Sequence, residues 1–270
     1  MAGVIREWLR PSAPAVDVPA QTDRRARRII WLEIAFLLLI TFGYSGISAI
    51  LSLAQSALAP GGIGGQAVAL NTSRAQNGLI DLGYQLLGIA RLFATAGLAM
   101  YLLWRSGVGP RLAGLVPPRV RECAHGIGLA ALIGLPGLGL YVAARALGLN
   151  VEVVPTTLDD HWWRIPALVL WAVANAVAEE TLVVGYLLTR LRRLGWSPNA
   201  ALAASALLRG SYHLYQGIGG GLGNVAMGLI FGRYWQRTGR LVPLIIAHAA
   251  IDIVAFVGYA LLAPHLGWLH

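Results

Sequence analysis

Charge is scarce in this chain. Only 12% of its 270 residues are charged, against about 25% in soluble domains, while 57% are apolar and the mean hydropathy is +0.63. That deficit excludes an ordinary soluble domain and marks a multi-spanning membrane protein. Cysteine is nearly absent. Cys123 alone rules out an internal disulfide and a thiolate metal cluster, and beside Arg121 and Glu122 at the start of an apolar segment it reads as a loop-end thiol rather than a nucleophile. Lysine is missing altogether. All 21 basic residues are arginine, which with the abundant Ala and Gly fits a GC-rich coding sequence, so no function is drawn from it. There is no soluble domain, no repeat period and no phosphate-binding glycine motif between a strand and a helix. The run Gly217 to Gly223 joins two apolar helices and reads as a tight, mobile hairpin.

A net charge of +9 and a pI near 10.4 suggest nucleic acid in a soluble protein, but here the arginines sit at the ends of apolar stretches, where they set orientation. The expected partner is the lipid bilayer, not nucleic acid. Seven stretches are long enough to be spans, at about 29–53, 79–104, 124–148, 165–189, 199–217, 222–236 and 241–263, the sixth being short. The chain is therefore expected to be all-α, a polytopic bundle of about seven transmembrane helices. Residues 1–28 are expected to form an arginine-rich cytoplasmic tail and 29–270 the transmembrane bundle. If the spans alternate from a cytoplasmic N-terminus, sixteen of the 21 arginines fall inside, and only Arg74 and Arg164 lie in outside loops. The same reading places the protein in the plasma membrane, with Trp162 and Trp163 as an interfacial anchor and the outside segments 54–78 and 149–164 as loops.

Two adjacent glutamates, Glu179 and Glu180, interrupt the fourth apolar stretch. Carboxylates at membrane depth are too costly to be incidental, and later stretches supply possible partners in His213 and in His248 with Asp252. Counting 1.5 Å per residue from the arginine-rich end of each span, Glu179, His213, His248 and Asp252 lie roughly 16, 21, 10 and 16 Å deep, a common band. His248 and Asp252 share a helix face, as do Arg209 and His213, and Asn175 and Glu179. Glu179 and Glu180 are about 100° apart around the axis, so one is expected to work and the other to hold a neighbouring helix. A carboxylate in a partly hydrated apolar cavity beside histidine suits water activation, and His248 with Asp252 suits donation to, or orientation of a donor for, a developing oxyanion. The same residues suit a catalytic zinc, held by Glu179, His213 and His248, although no HExxH arrangement is present. The cofactor is thus either none or a divalent metal such as zinc. Glu33 and Arg145 read as structural or snorkelling residues.

These three clusters resemble, in order, the motifs of the CAAX-processing and bacteriocin-processing (CPBP or Abi) intramembrane protease family, EExxFRG, FxxxH and HxxxN/D. Here they read EETLVVG from Glu179, RGSYH ending at His213, and HAAID from His248. The resemblance covers about 80 residues, implies a catalytic core at about 165–263, and implies that Glu179 and His213 activate water while His248 and Asp252 stabilise the oxyanion, in a glutamate protease or a metalloprotease. Two positions depart from it: the family arginine is Val184, and the family phenylalanine before the histidine is Arg209. Arg209 is accordingly expected to replace the missing arginine as the partner of Glu180. The reading is an intramembrane endopeptidase acting on a membrane-associated peptide or protein. The alternatives are a catalytically inactive membrane binding or immunity-type protein, and a proton-coupled transporter using the same Glu, His and Asp as a relay.

Overall fold

The computed structural model describes residues 18–262, so most of the arginine-rich tail lies outside the described residues, as does the chain beyond 262. Helix α1 runs Arg24–Leu39 and α2 runs Phe42–Leu58. Asp23 starts α1 by accepting from the Ala26 N–H at 2.6 Å, which satisfies a donor the first turn leaves free. The stretch expected as one span at 29–53 is instead this pair, bent by 49°. Its break falls at Thr41, whose hydroxyl donates to the Leu37 carbonyl at 2.5 Å and whose backbone leaves the helical region.

Helix α3 (Gly78–Arg105) begins under an Asn77 cap and α4 spans Val120–Ala146. Helix α5 (Arg164–Glu179) passes through a π-helical segment, Glu180–Tyr186, into α6 (Leu187–Arg193), making one 30-residue run. Helix α7 (Pro198–Ser211) starts from a Ser197 cap with proline at the first position, where its missing N–H costs nothing. A 3₁₀ turn, Leu214–Gln216, then leads into α8 (Ile218–Thr238), and α9 covers Val242–Leu262.

Four of these helical runs are long and apolar enough to cross a membrane, Gly78–Arg105, Val120–Ala146, Arg164–Arg193 and Val242–Leu262, or five if the bent pair is one span. The count of seven is not reached by this measure, for a physical reason. Helix α7 has only 14 residues, about 21 Å at 1.5 Å each and short of a hydrocarbon core of about 30 Å, while α8 carries Arg233 and Arg237 near its end. The protein remains a mostly helical, multi-pass membrane protein. Its outward surface is apolar, with Leu135 72% exposed on α4, while the α5–π–α6 run is enclosed and Leu182 has no exposure.

The bundle is not purely helical. Strands β1 (Ala67–Thr72) and β2 (Glu152–Thr157) pair in parallel with Ala67 opposite Glu152, inside the two segments expected to be loops. Val68, Val153, Val154 and several threonines are β-formers, and the Asn71 side chain donates to the Pro155 carbonyl at 2.9 Å, locking the register. Arg145 ties this end together by donating to the carbonyls of Gly64 and Asn150, both at 2.9 Å. The two tryptophans also part company: Trp162 is exposed, but Trp163 is buried in a core with Leu168 and Phe256, so only the first presents an interfacial side chain.

Candidate active site

The glutamate pair sits where α5 gives way to the π-helical segment, a widening common at functional sites. Both carboxylates are buried. From α7, fully buried Arg209 reaches Glu180, with Nη2 2.6 Å from Oε1, and its Nη1 lies 3.7 Å from Glu179 Oε2. The partnership suggested by the two substituted motif positions is therefore present. As expected, Glu180 is the carboxylate that partners a neighbouring helix, and the Arg209 guanidinium also approaches Glu179. Close helix packing makes room for it. Gly228 on α8 faces Ala206, and a Cβ there would stand 2.9 Å from the Ala206 Cα and 3.4 Å from the Arg209 Cδ.

Glu180 Oε1 also bonds His248 Nδ1 at 2.8 Å from α9. The other ring nitrogen of His248 lies 3.8 Å from Asp252 Oδ2, one turn on, and Asn175 of α5 stands near that carboxylate. Glu179 is held differently. Tyr212 donates its phenolic proton to Glu179 Oε2 at 2.7 Å, and both His213 and His248 lie within electrostatic reach of that carboxylate. His213 is not inside a helix as expected but just beyond the end of α7, with Nδ1 3.0 Å from the Arg209 carbonyl oxygen and its ring beside Tyr212 at 4.7 Å. The fold thus brings all six sequence-selected residues together at the meeting of α5, α7 and α9, with Glu179, Glu180, Arg209 and His248 buried and His213 and Asp252 partly exposed. Three buried polar atoms there, Glu180 Oε2 and Arg209 Nε and Nη1, make no hydrogen bond, an unmet valence that is rare in protein interiors.

Tyr212 and Tyr215 were not singled out from the sequence. Their only signal was position, flanking His213 in a motif otherwise read for its ionisable groups. They also form one wall of a cavity of about 530 Å³, whose other wall is a stripe of α2 side chains, Ser45, Ser48, Ser52 and Gln55. The tip of the α7–α8 hairpin is fixed there by Gly217, at φ 108°, where a Cβ would meet the Asn150 Cα at 2.5 Å. Asn150 in turn accepts from the Gly219 N–H at 2.9 Å, capping α8.

A model of the family described as type II CAAX prenyl endopeptidase Rce1-like matches residues 161–254, which contain all six. Over that segment the chain is similar to the CAAX proteases. No curated protein and no solved structure gives a match. The family implies a peptidase, and the match begins at the start of α5 and ends in α9, so this CAAX-protease-like region takes in every helix that supplies a site residue. Among the described residues no group of three or more His, Cys, Asp or Glu side chains is disposed to hold a metal ion. The set Glu179, His213 and His248 is not such a group, and His248 Nδ1 is taken by Glu180.

Proposed function

We propose that the protein is an intramembrane endopeptidase that hydrolyses a peptide bond in a membrane-associated peptide or protein, with Glu179 as the general base. Its carboxylate is aimed by Tyr212 and Arg209 and accepts a proton from water, while His213 orients that water from the opposite side. The water oxygen attacks the peptide carbonyl carbon, the proton held on Glu179 passes to the departing amine, and the C–N bond breaks. His248, steadied by Asp252 and Glu180, donates to the oxyanion that forms on the carbonyl oxygen. Every step uses side chains alone.

The observation that carries this reading is the buried Glu179 carboxylate, hydrogen-bonded by a tyrosine and within electrostatic reach of two histidines from different elements. The hydroxyl-lined cavity beside Tyr212 supports it as well, since a peptide backbone entering an apolar bundle needs hydrogen-bonding partners. The family description names prenyl CAAX substrates, and a lipid-modified peptide is consistent with a membrane site. Placement in the plasma membrane with a cytoplasmic N-terminus belongs to the same proposal, on the arginine distribution.

The test is cleavage of a membrane-peptide library by the reconstituted protein, comparing parent, Glu179→Gln and His213→Ala, each with and without chelator. Cleavage by the parent that is lost in both variants supports the proposal, and the chelator arm decides whether a metal takes part. Cleavage unchanged in the variants, or none by a folded parent, turns the assignment to an inactive binding protein.

A further inference from the structure

A second pocket lies away from these residues, at the arginine-rich end of the bundle. Its volume is about 260 Å³, and it sits between the first turns of α1, the last turn of α3 and the end of α6. Three guanidiniums line it, Arg105, Arg190 and Arg193, against the single carboxylate of Glu33. That carboxylate is committed. Glu33 Oε1 accepts from Arg190 Nε at 2.7 Å and from the Tyr186 hydroxyl at 2.8 Å, while Arg190 also donates to the Ser106 hydroxyl and the Leu102 carbonyl, both at 2.7 Å. Arg190 and Glu33 therefore neutralise each other and form the floor.

Arg105 and Arg193 are left on the rim. Among the described residues neither has a carboxylate within 4.0 Å. Arg105 rests over the Tyr101 ring at 5.8 Å, and Arg193 makes a long contact of 3.4 Å to the Ser106 carbonyl. Two uncompensated guanidiniums converging on a concave site are an anion receptor, because the guanidinium fork matches phosphate oxygens two at a time. The surroundings specify which anion. Ile29 of α1, 54% exposed, lines the pocket and opens onto the apolar outer face, and the exposed tryptophans Trp31 and Trp104 stand at the same end of α1 and α3, where indoles mark a membrane interface. A volume below the roughly 300–1,000 Å³ of drug-sized sites suits a headgroup whose acyl chains lie outside along the isoleucine face.

We propose that this pocket binds the phosphate headgroup of an anionic phospholipid, clamping α1 to the ends of α3 and α6. The assignment is independent of the peptidase reading, since none of its residues belongs to the glutamate–histidine network. The full-length protein, reconstituted in phosphatidylcholine with and without phosphatidylglycerol, is tested by native mass spectrometry for retained phosphatidylglycerol and by thermal unfolding. The parent is expected to retain the anionic lipid and unfold at higher temperature with it. Arg105→Gln/Arg193→Gln is expected to weaken retention about 30-fold and abolish the thermal shift, on the attraction each arginine exerts on anionic lipid. Arg111→Gln/Arg121→Gln, which removes the same charge outside the pocket, is expected to leave the retention and the thermal shift at the parent's level. Equal losses in the two double variants, or none in the first, would overturn the site. Stabilisation of the parent by inorganic phosphate to the same extent would overturn the lipid assignment in favour of a free anion. Should the first double variant not fold, Arg105→Gln alone, at an exposed position, is read in its place; about a fivefold loss supports the site and no loss overturns it.

Discussion

Replacing Arg209 with valine removes a guanidinium that both buried glutamates share. Arg209 and Glu180 have no solvent exposure, and the 2.6 Å contact between them is unscreened by water. Deleting one partner of a buried pair leaves the other charge uncompensated, which costs about 3–5 kcal/mol, a large part of the 5–15 kcal/mol that holds a typical fold together. Glu180→Gln is expected to cost less, because glutamine still accepts from His248 and Arg209 keeps Glu179 at 3.7 Å. If the pair is real, the double variant Glu180→Gln/Arg209→Val must be less destabilised than the sum of the two singles, by roughly 1.5–3 kcal/mol. Unfolding in mixed micelles titrated with sodium dodecyl sulfate, followed by tryptophan fluorescence, gives the four free energies. The reasoning fails if the singles add to within about 0.5 kcal/mol, or if Arg209→Val is as stable as the parent.

Tyr212→Phe loses the 2.7 Å bond to Glu179 and nothing else in the packing, so peptide cleavage should fall about tenfold or more while the fold persists; unchanged turnover would remove Tyr212 from the site. Asp252→Asn should keep cleavage within about tenfold, since asparagine can still face His248, whereas Asp252→Leu should lose about a hundredfold; equal rates for the two would show that His248 is oriented by something else. Gly217→Ala forces a left-handed residue into the Asn150 backbone and should destabilise by at least about 2 kcal/mol in thermal unfolding, with a neutral result contradicting the hairpin geometry.

Legibility in the sequence followed the physics of each feature. The helical runs announce themselves because lipid demands long apolar stretches with satisfied backbones, and the three motif clusters stand out because ionisable groups are rare against that background. Even the Glu180–Arg209 pair was readable, since an unexplained intramembrane arginine and an absent family arginine pointed to each other. Other features left no such trace. The π-helical segment changes hydrogen bonding without changing hydropathy, the bend at Thr41 depends on one hydroxyl and a local backbone angle, and pairing of β1 with β2 joins segments far apart in the chain. Tyr212 was overlooked because its phenol is neutral and its ring would also suit ordinary packing against Phe42, at 4.9 Å. Spacing separated the roles of the two glutamates, but an axial angle says nothing about the width of the guanidinium that reaches toward both.

The most direct test of the account is the single-turnover cleavage rate of a library-identified peptide by parent and Glu179→Gln, with both proteins shown to be equally folded. A general base predicts a loss of about 10²–10⁴-fold on removing the charge while keeping the side-chain shape. A Glu179→Gln rate within tenfold of the parent would contradict the assignment of Glu179 as the water-activating residue.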